Sequence, residues 1–191
     1  MNHPAPVKQT ATYQDVLDAP PHMVAELIRG ALHLQPRPAS RHARASSVVA
    51  SKIGGRFDYD DDGPGGWWIL VEPELHLGDD VLVPDIAGWR RERMPAFPDV
   101  AGFTLAPDWV CEVLSPGTRR TDLTAKRDIY AERGVAWLWF VDPDARTLEV
   151  FELTGGAWTL RGAFGGDETI GAAPFEAAPF ALSVLWPPAA P

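Results

Sequence analysis

Two nearly continuous apolar runs, Trp109 to Leu114 and Ala136 to Val141, constrain this chain more than any other feature. Runs of this kind are expected of strands covered on both faces. Between them, Ser115-Pro116-Gly117 turns the chain, Thr121 is suited to cap a helix, and Gly134 is suited to stop it after Glu132 or Arg133. Strand, helix and strand in this order predict a right-handed crossover joining two parallel strands. The chain therefore belongs among α/β or mixed α+β folds.

One residue is out of place in that unit. Glu112 stands among Trp109, Val110, Val113 and Leu114, where a carboxylate is costly to bury unless it is paired or metal-bound. Alternation puts Glu112 on one strand face with Val110 and Leu114, and Cys111 and Val113 on the other. A second acid, Asp85, follows Pro84 at the head of another apolar stretch, so Val81 to Trp89 reads as a strand carrying an acid. Asp122, Lys126 and Tyr130 recur every four residues along one side of the helix that follows Glu112. Two acids from separate strands and a lysine are what metal-assisted phosphodiester hydrolysis needs, and they are equally what a structural ion-pair cluster needs. On a helix side, Lys126 is expected to contribute little to stability.

The rest of the chain supports one domain. At 191 residues and 46% hydrophobic it can bury a sizeable core but not two comfortable ones. Residues 1–11 read as a flexible arm, residues 12–186 as a single domain and residues 187–191 as a tail. Thr12 can cap a short helix from Tyr13 to Asp18. Val24 to Ile28 and Ala31 to Gln35 form a hairpin turning at Arg29-Gly30, with Glu26 in its first strand. A helix runs from Ser40 to Phe57, opening on Arg41, His42 and Arg44 just after Arg37. A basic start opposes the helix dipole and hints at an anionic partner. Asp58 to Gly66 begins like a calcium loop, but Ile69 stands where the closing glutamate belongs, so it reads as an acidic turn. Trp67 to Val71 and Leu75 to Leu77 read as strands, Arg90 to Thr104 as a surface excursion, and Thr147 onward as hairpin strands.

The net charge of −9 excludes a protein that holds nucleic acid on an extended basic surface, though not an enzyme acting on it locally. One buried-looking cysteine and no apolar run of membrane-spanning length fit a cytoplasmic protein.

Several segments together resemble the bacterial Uma-type endonuclease family. They are V-P-D at Val83 to Asp85, P-D-W-V-C-E-V-L-S-P-G-T at Pro107 to Thr118, D-L-T-A-K-R-D-I-Y at Asp122 to Tyr130 and G-V-A-W-L-W-F-V-D-P at Gly134 to Pro143. E-L-I-R-G-A-L at Glu26 to Leu32, with His42 after it, belongs to the same resemblance. That family is similar to the PD-(D/E)XK superfamily. The resemblance implies a restriction endonuclease-like mixed β-sheet flanked by helices, here with extra hairpin strands, a Mg2+ or Mn2+ ion, DNA as substrate and a homodimer. It implies Asp85 and Glu112 as catalytic, metal-holding acids, with Glu26 as a further acid near the metal. The superfamily's lysine should stand two residues after Glu112, where this chain has Leu114. Lys126 is the expected replacement. The departure also leaves open a degenerate member that binds nucleic acid or protein without cutting.

Overall fold

The computed structural model describes residues 10–36, 38–59 and 62–187. Arg37, Asp60, Asp61, most of the N-terminal arm and residues 188–191 of the tail lie outside them. Ala11, at the end of that arm, is tied down by a backbone bond to the Gly30 carbonyl.

Helix α1 (Tyr13–Leu17) leads into a hairpin of β1 (Met23–Ile28) and β2 (Ala31–Pro36). The long helix α2 (Ser40–Phe57) follows, then β3 (Trp67–Val71), β4 (Leu75–Leu77), β5 (Asp80–Leu82), β6 (Ile86–Arg90) and β7 (Trp109–Val113). The crossover helix comprises α3 (Arg119–Thr121), a π-helical turn (Asp122–Lys126) and α4 (Arg127–Glu132). Strands β8 (Trp137–Asp142), β9 (Thr147–Thr154) and β10 (Ala157–Gly165) complete the main sheet. A two-residue pair, β11 (Thr169–Ile170) with β12 (Phe180–Ala181), ends in a 3-10 turn.

The six-stranded sheet has the order β10-β9-β8-β7-β6-β3 and is mixed: β7 and β8 are parallel, as the crossover predicts, and the other neighbours are antiparallel. A smaller antiparallel sheet, β2-β1-β5-β4, lies beside it. Every residue of β7 is buried because both faces of the main sheet are covered. Ala45, Val49, Ile53 and Phe57 of α2 cover one face, together with Phe175 and Leu185 from the C-terminal segment. Ile129 and Tyr130 of α4, with Leu75 and Leu82 of the small sheet, cover the other. Gly88 lets the first face close, since a Cβ there would stand 2.9 Å from Ile69 and 3.2 Å from Trp109.

Two expectations are corrected. The run Val81 to Trp89 is not one strand: it breaks at Val83-Pro84-Asp85, sending β5 to the small sheet and β6 to the main one. Pro84 has no N–H to donate to a ladder, and Asp85 instead accepts the Val113 N–H at 2.7 Å. The crossover helix starts two residues before Thr121, at Arg119, because Ser115 and Thr118 together stabilise the preceding turn. The Arg90 to Thr104 excursion is anchored to the fold. Met94 and Phe103 are buried, Arg91 pairs with Asp58 at 3.0 Å, and Arg93 pairs with Asp108 at 2.8 Å.

Among the described residues no helix is long and apolar enough to cross a membrane.

Phe175 lies 4.8 Å from the rings of Phe57, Trp67 and Trp109 and 5.8 Å from that of Trp139, so the C-terminal segment closes the α2 face through this ring. Phe175→Ala should cost about 3–5 kcal/mol in urea unfolding. A loss below about 1 kcal/mol would show that the segment is not part of the core.

Candidate active site

The break at Pro84 places Asp85 where the two sheets meet, and α2 and the crossover helix close the space from either side. The resulting cavity, of about 60 Å³, is lined by His42, Asp85, Glu112, Ser115, Asp122 and Lys126 among others. That volume has room for an ion and a few waters.

Lys126 is the centre of the arrangement. Its side chain is 2% exposed, and Nζ lies 2.8 Å from Glu112 Oε1, 3.0 Å from Glu26 Oε1 and 3.5 Å from Asp122 Oδ1. The π-helical turn is what brings it there. Its i→i+5 bonding, seen in the Arg127 N–H to Asp122 carbonyl contact, widens the helix where Asp122, Lys126 and Tyr130 point inward. Tyr130 donates its hydroxyl to Glu112 Oε1 at 2.6 Å. Lys126, expected to contribute little to stability, is thus fully buried among three carboxylates. Leu114, at the position where the resemblance expects a lysine, is instead buried in the core against the α4 face.

The acids predicted from sequence are all here, in different situations. Glu112 has Oε1 occupied by Lys126 and Tyr130, and no described side chain bonds its Oε2. Asp85 accepts the Val113 N–H through Oδ2 and faces His42 Nε2 through Oδ1 at 3.1 Å. Glu26 is engaged at both oxygens: Oε1 by the Val83 N–H and Lys126, Oε2 by Gln35 at 2.8 Å. β1 is an interior strand of its sheet, so Glu26 is no edge-strand acid.

Sequence reasoning gave no site role to His42, Asp122 or Tyr130. The four-residue spacing of Asp122, Lys126 and Tyr130 was the available signal for two of them. For His42 the local pattern offered only a basic helix start. That start resolves into separate fates: Arg41 pairs with Asp144, Arg44 bonds the Val184 carbonyl, and His42 alone of these three turns into the cavity.

A family model, Uma2, described as "Putative restriction endonuclease", matches residues 11–184. The chain belongs to the Uma2 family. A crystal structure titled as a putative nuclease belonging to DUF820, from Anabaena variabilis ATCC 29413, is similar at 24% sequence identity. The match covers 92% of this chain and 97% of that one, with a TM-score of 0.74, and assigns the restriction endonuclease-like fold. No curated protein matches.

Electrostatics set what this Uma2-family site can hold. Burial alone would pull the Lys126 ammonium down, but Glu112, Glu26 and Asp122 outweigh it and hold its pKa well above the usual lysine value. Burial pushes Glu112 well above the carboxylate range against the pull of Lys126, with Asp122, Asp85 and Glu26 adding to the rise. Asp122 is raised for the same first reason, opposed by Lys126 and the Thr118 hydroxyl. Burial lowers His42, yet the hydrogen bond and charge of Asp85 leave it raised. Among the described residues, Glu26, Asp85, Glu112 and Asp122 pair with Lys126 or His42, and these six groups carry net negative charge when fully ionised.

A divalent cation fits that excess, and Asp85 and Glu112 are the hard oxygen donors suited to it. Among the described residues no three His, Cys, Asp or Glu side chains are already gathered as a metal-holding set. An ion entering the cavity must draw its ligands together.

Removing Lys126 leaves buried acids without their base. Lys126→Met should lose about 3–5 kcal/mol in urea unfolding at neutral pH. Glu112 and Asp122 have folded pKa values raised by burial, so they gain stability from protons below the carboxylate range and lose it as pH rises. The deficit of Lys126→Met should therefore widen between acidic and neutral pH. A variant as stable as wild type at both would remove Lys126 from the centre of the cluster.

Proposed function

We propose that this protein is a divalent-metal-dependent endonuclease that hydrolyses phosphodiester bonds of DNA. The observation that supports it most is Lys126 beside Glu112 in the cavity that also holds Asp85, in a chain of the Uma2 family. Two acids and one lysine converge although Leu114 occupies the usual lysine position.

Asp85 and Glu112 would hold Mg2+ or Mn2+, which when bound supplies positive charge to the phosphate and makes a bound water more acidic. The residues of the chain do the rest. The Val113 N–H fixes Asp85 at one oxygen. Tyr130 and Lys126 fix Glu112 at Oε1, which leaves Oε2 for the cavity. Lys126 keeps its proton and offers a fixed cation to charge developing on a phosphate oxygen. In this reading Glu26 and Asp122 anchor Lys126, and Glu26 is not itself a metal ligand. A homodimer would present two such sites and belongs to the same proposal.

A second reading has a specific observation behind it. Lys126 is held by three carboxylates, an arrangement that would also serve a non-catalytic member binding nucleic acid or protein.

Plasmid nicking separates the two. Wild type should cut DNA only with magnesium or manganese, and Asp85→Asn and Glu112→Gln should each cut at least about a hundredfold more slowly. Wild type that binds the metal and leaves DNA intact would favour the second reading.

A further inference from the structure

The cavity holds one more metal-ligating side chain. His42 projects from the first turns of α2, a helix fixed by Ala45, Val49 and Ile53 in the core, so its ring is delivered on a rigid support. Its Nε2 lies 3.1 Å from Asp85 Oδ1. Two ligands about 2.1–2.2 Å from one ion and at a right angle to each other stand about 3 Å apart. His42 and Asp85 are therefore already spaced as neighbouring ligands of a single ion, with a proton between them in its place. The side chain is only 12% exposed, and its Nδ1 is buried without a hydrogen-bond partner among the described residues. Glu26, by contrast, has no oxygen left over.

We propose that His42 Nε2 is the third protein ligand of this site, and that the site consequently prefers Mn2+ to Mg2+. This rests on the reading of Asp85 and Glu112 as the ion-holding acids. Imidazole is a better ligand for transition metals than for magnesium, which favours oxygen donors and water. Asp85 and Glu112, which line the same cavity, would supply the oxygen ligands beside it.

Electron spin-echo spectroscopy of Mn2+ added to the intact protein, without DNA, reads the nitrogen directly. Wild type should show the modulation of one coordinated imidazole nitrogen. His42→Gln, which keeps a donor for Asp85, should lose that signal and bind Mn2+ at least about tenfold more weakly, with a smaller change for Mg2+. Calorimetry on the same samples supplies the affinities. Mn2+ bound by wild type without nitrogen modulation, or equally tightly by His42→Gln, would overturn the assignment of His42 while leaving the nuclease reading intact. No Mn2+ binding at all would overturn both. Nitrogen modulation in a protein that cuts no DNA would uphold His42 and count against the nuclease alone.

Discussion

The fold is arranged around one buried ammonium. Lys126 draws Glu26 from the small sheet, Glu112 from the main sheet and Asp122 from its own helix to one point. Each of those acids would be expensive to bury alone, and a buried ion pair of this kind adds little or nothing over apolar packing of the same shape. Lys126 is thus an inefficient way to join two sheets and a helix. Its presence at the wall of the cavity that Asp85 also lines supports the proposed chemical role. The widened helical turn that aims it belongs to the same account, since such turns recur at functional sites.

The location of that lysine also explains how the site accommodates Leu114. β7 is covered on both faces, so the position two residues after Glu112 falls in the core against Tyr130 and Ile129. A lysine there would bring a second charge into packing that Leu114 fills. In the proposed reading the cation comes from the crossover helix, 2.8 Å from Glu112, while the strand stays apolar. The overall charge of −9 is no obstacle, because the charges that matter are the few within a few ångströms of the cavity.

Much of this was legible from residues alone, and the exceptions share a cause. The crossover unit, α2 and the first hairpin follow from apolar periodicity and turn residues, which act locally. Glu112 was legible because a carboxylate in an apolar strand needs a partner. The break at Pro84 was harder to read, because Val81 to Trp89 is apolar on both sides of it and only the tertiary structure assigns the two halves to different sheets. The depth of Lys126 was hidden for a similar reason. A lysine on a helix looks solvated until Glu26, a hundred positions earlier, is known to face it. His42 carried only the sign of a basic helix start, since its meaning comes from Asp85 across the cavity.

The claim that Lys126 and Glu112 act as a coupled pair is open to a direct measurement. A double-mutant cycle in urea unfolding, combining Lys126→Met with Glu112→Gln, isolates their interaction from the cost of each change alone. Side chains in direct contact within one buried network should couple by about 2 kcal/mol or more, so the double variant should be far less damaged than the two single losses predict. Losses that add to within about 0.5 kcal/mol would mean the two residues stand apart in solution, and the account built on their pairing would fail.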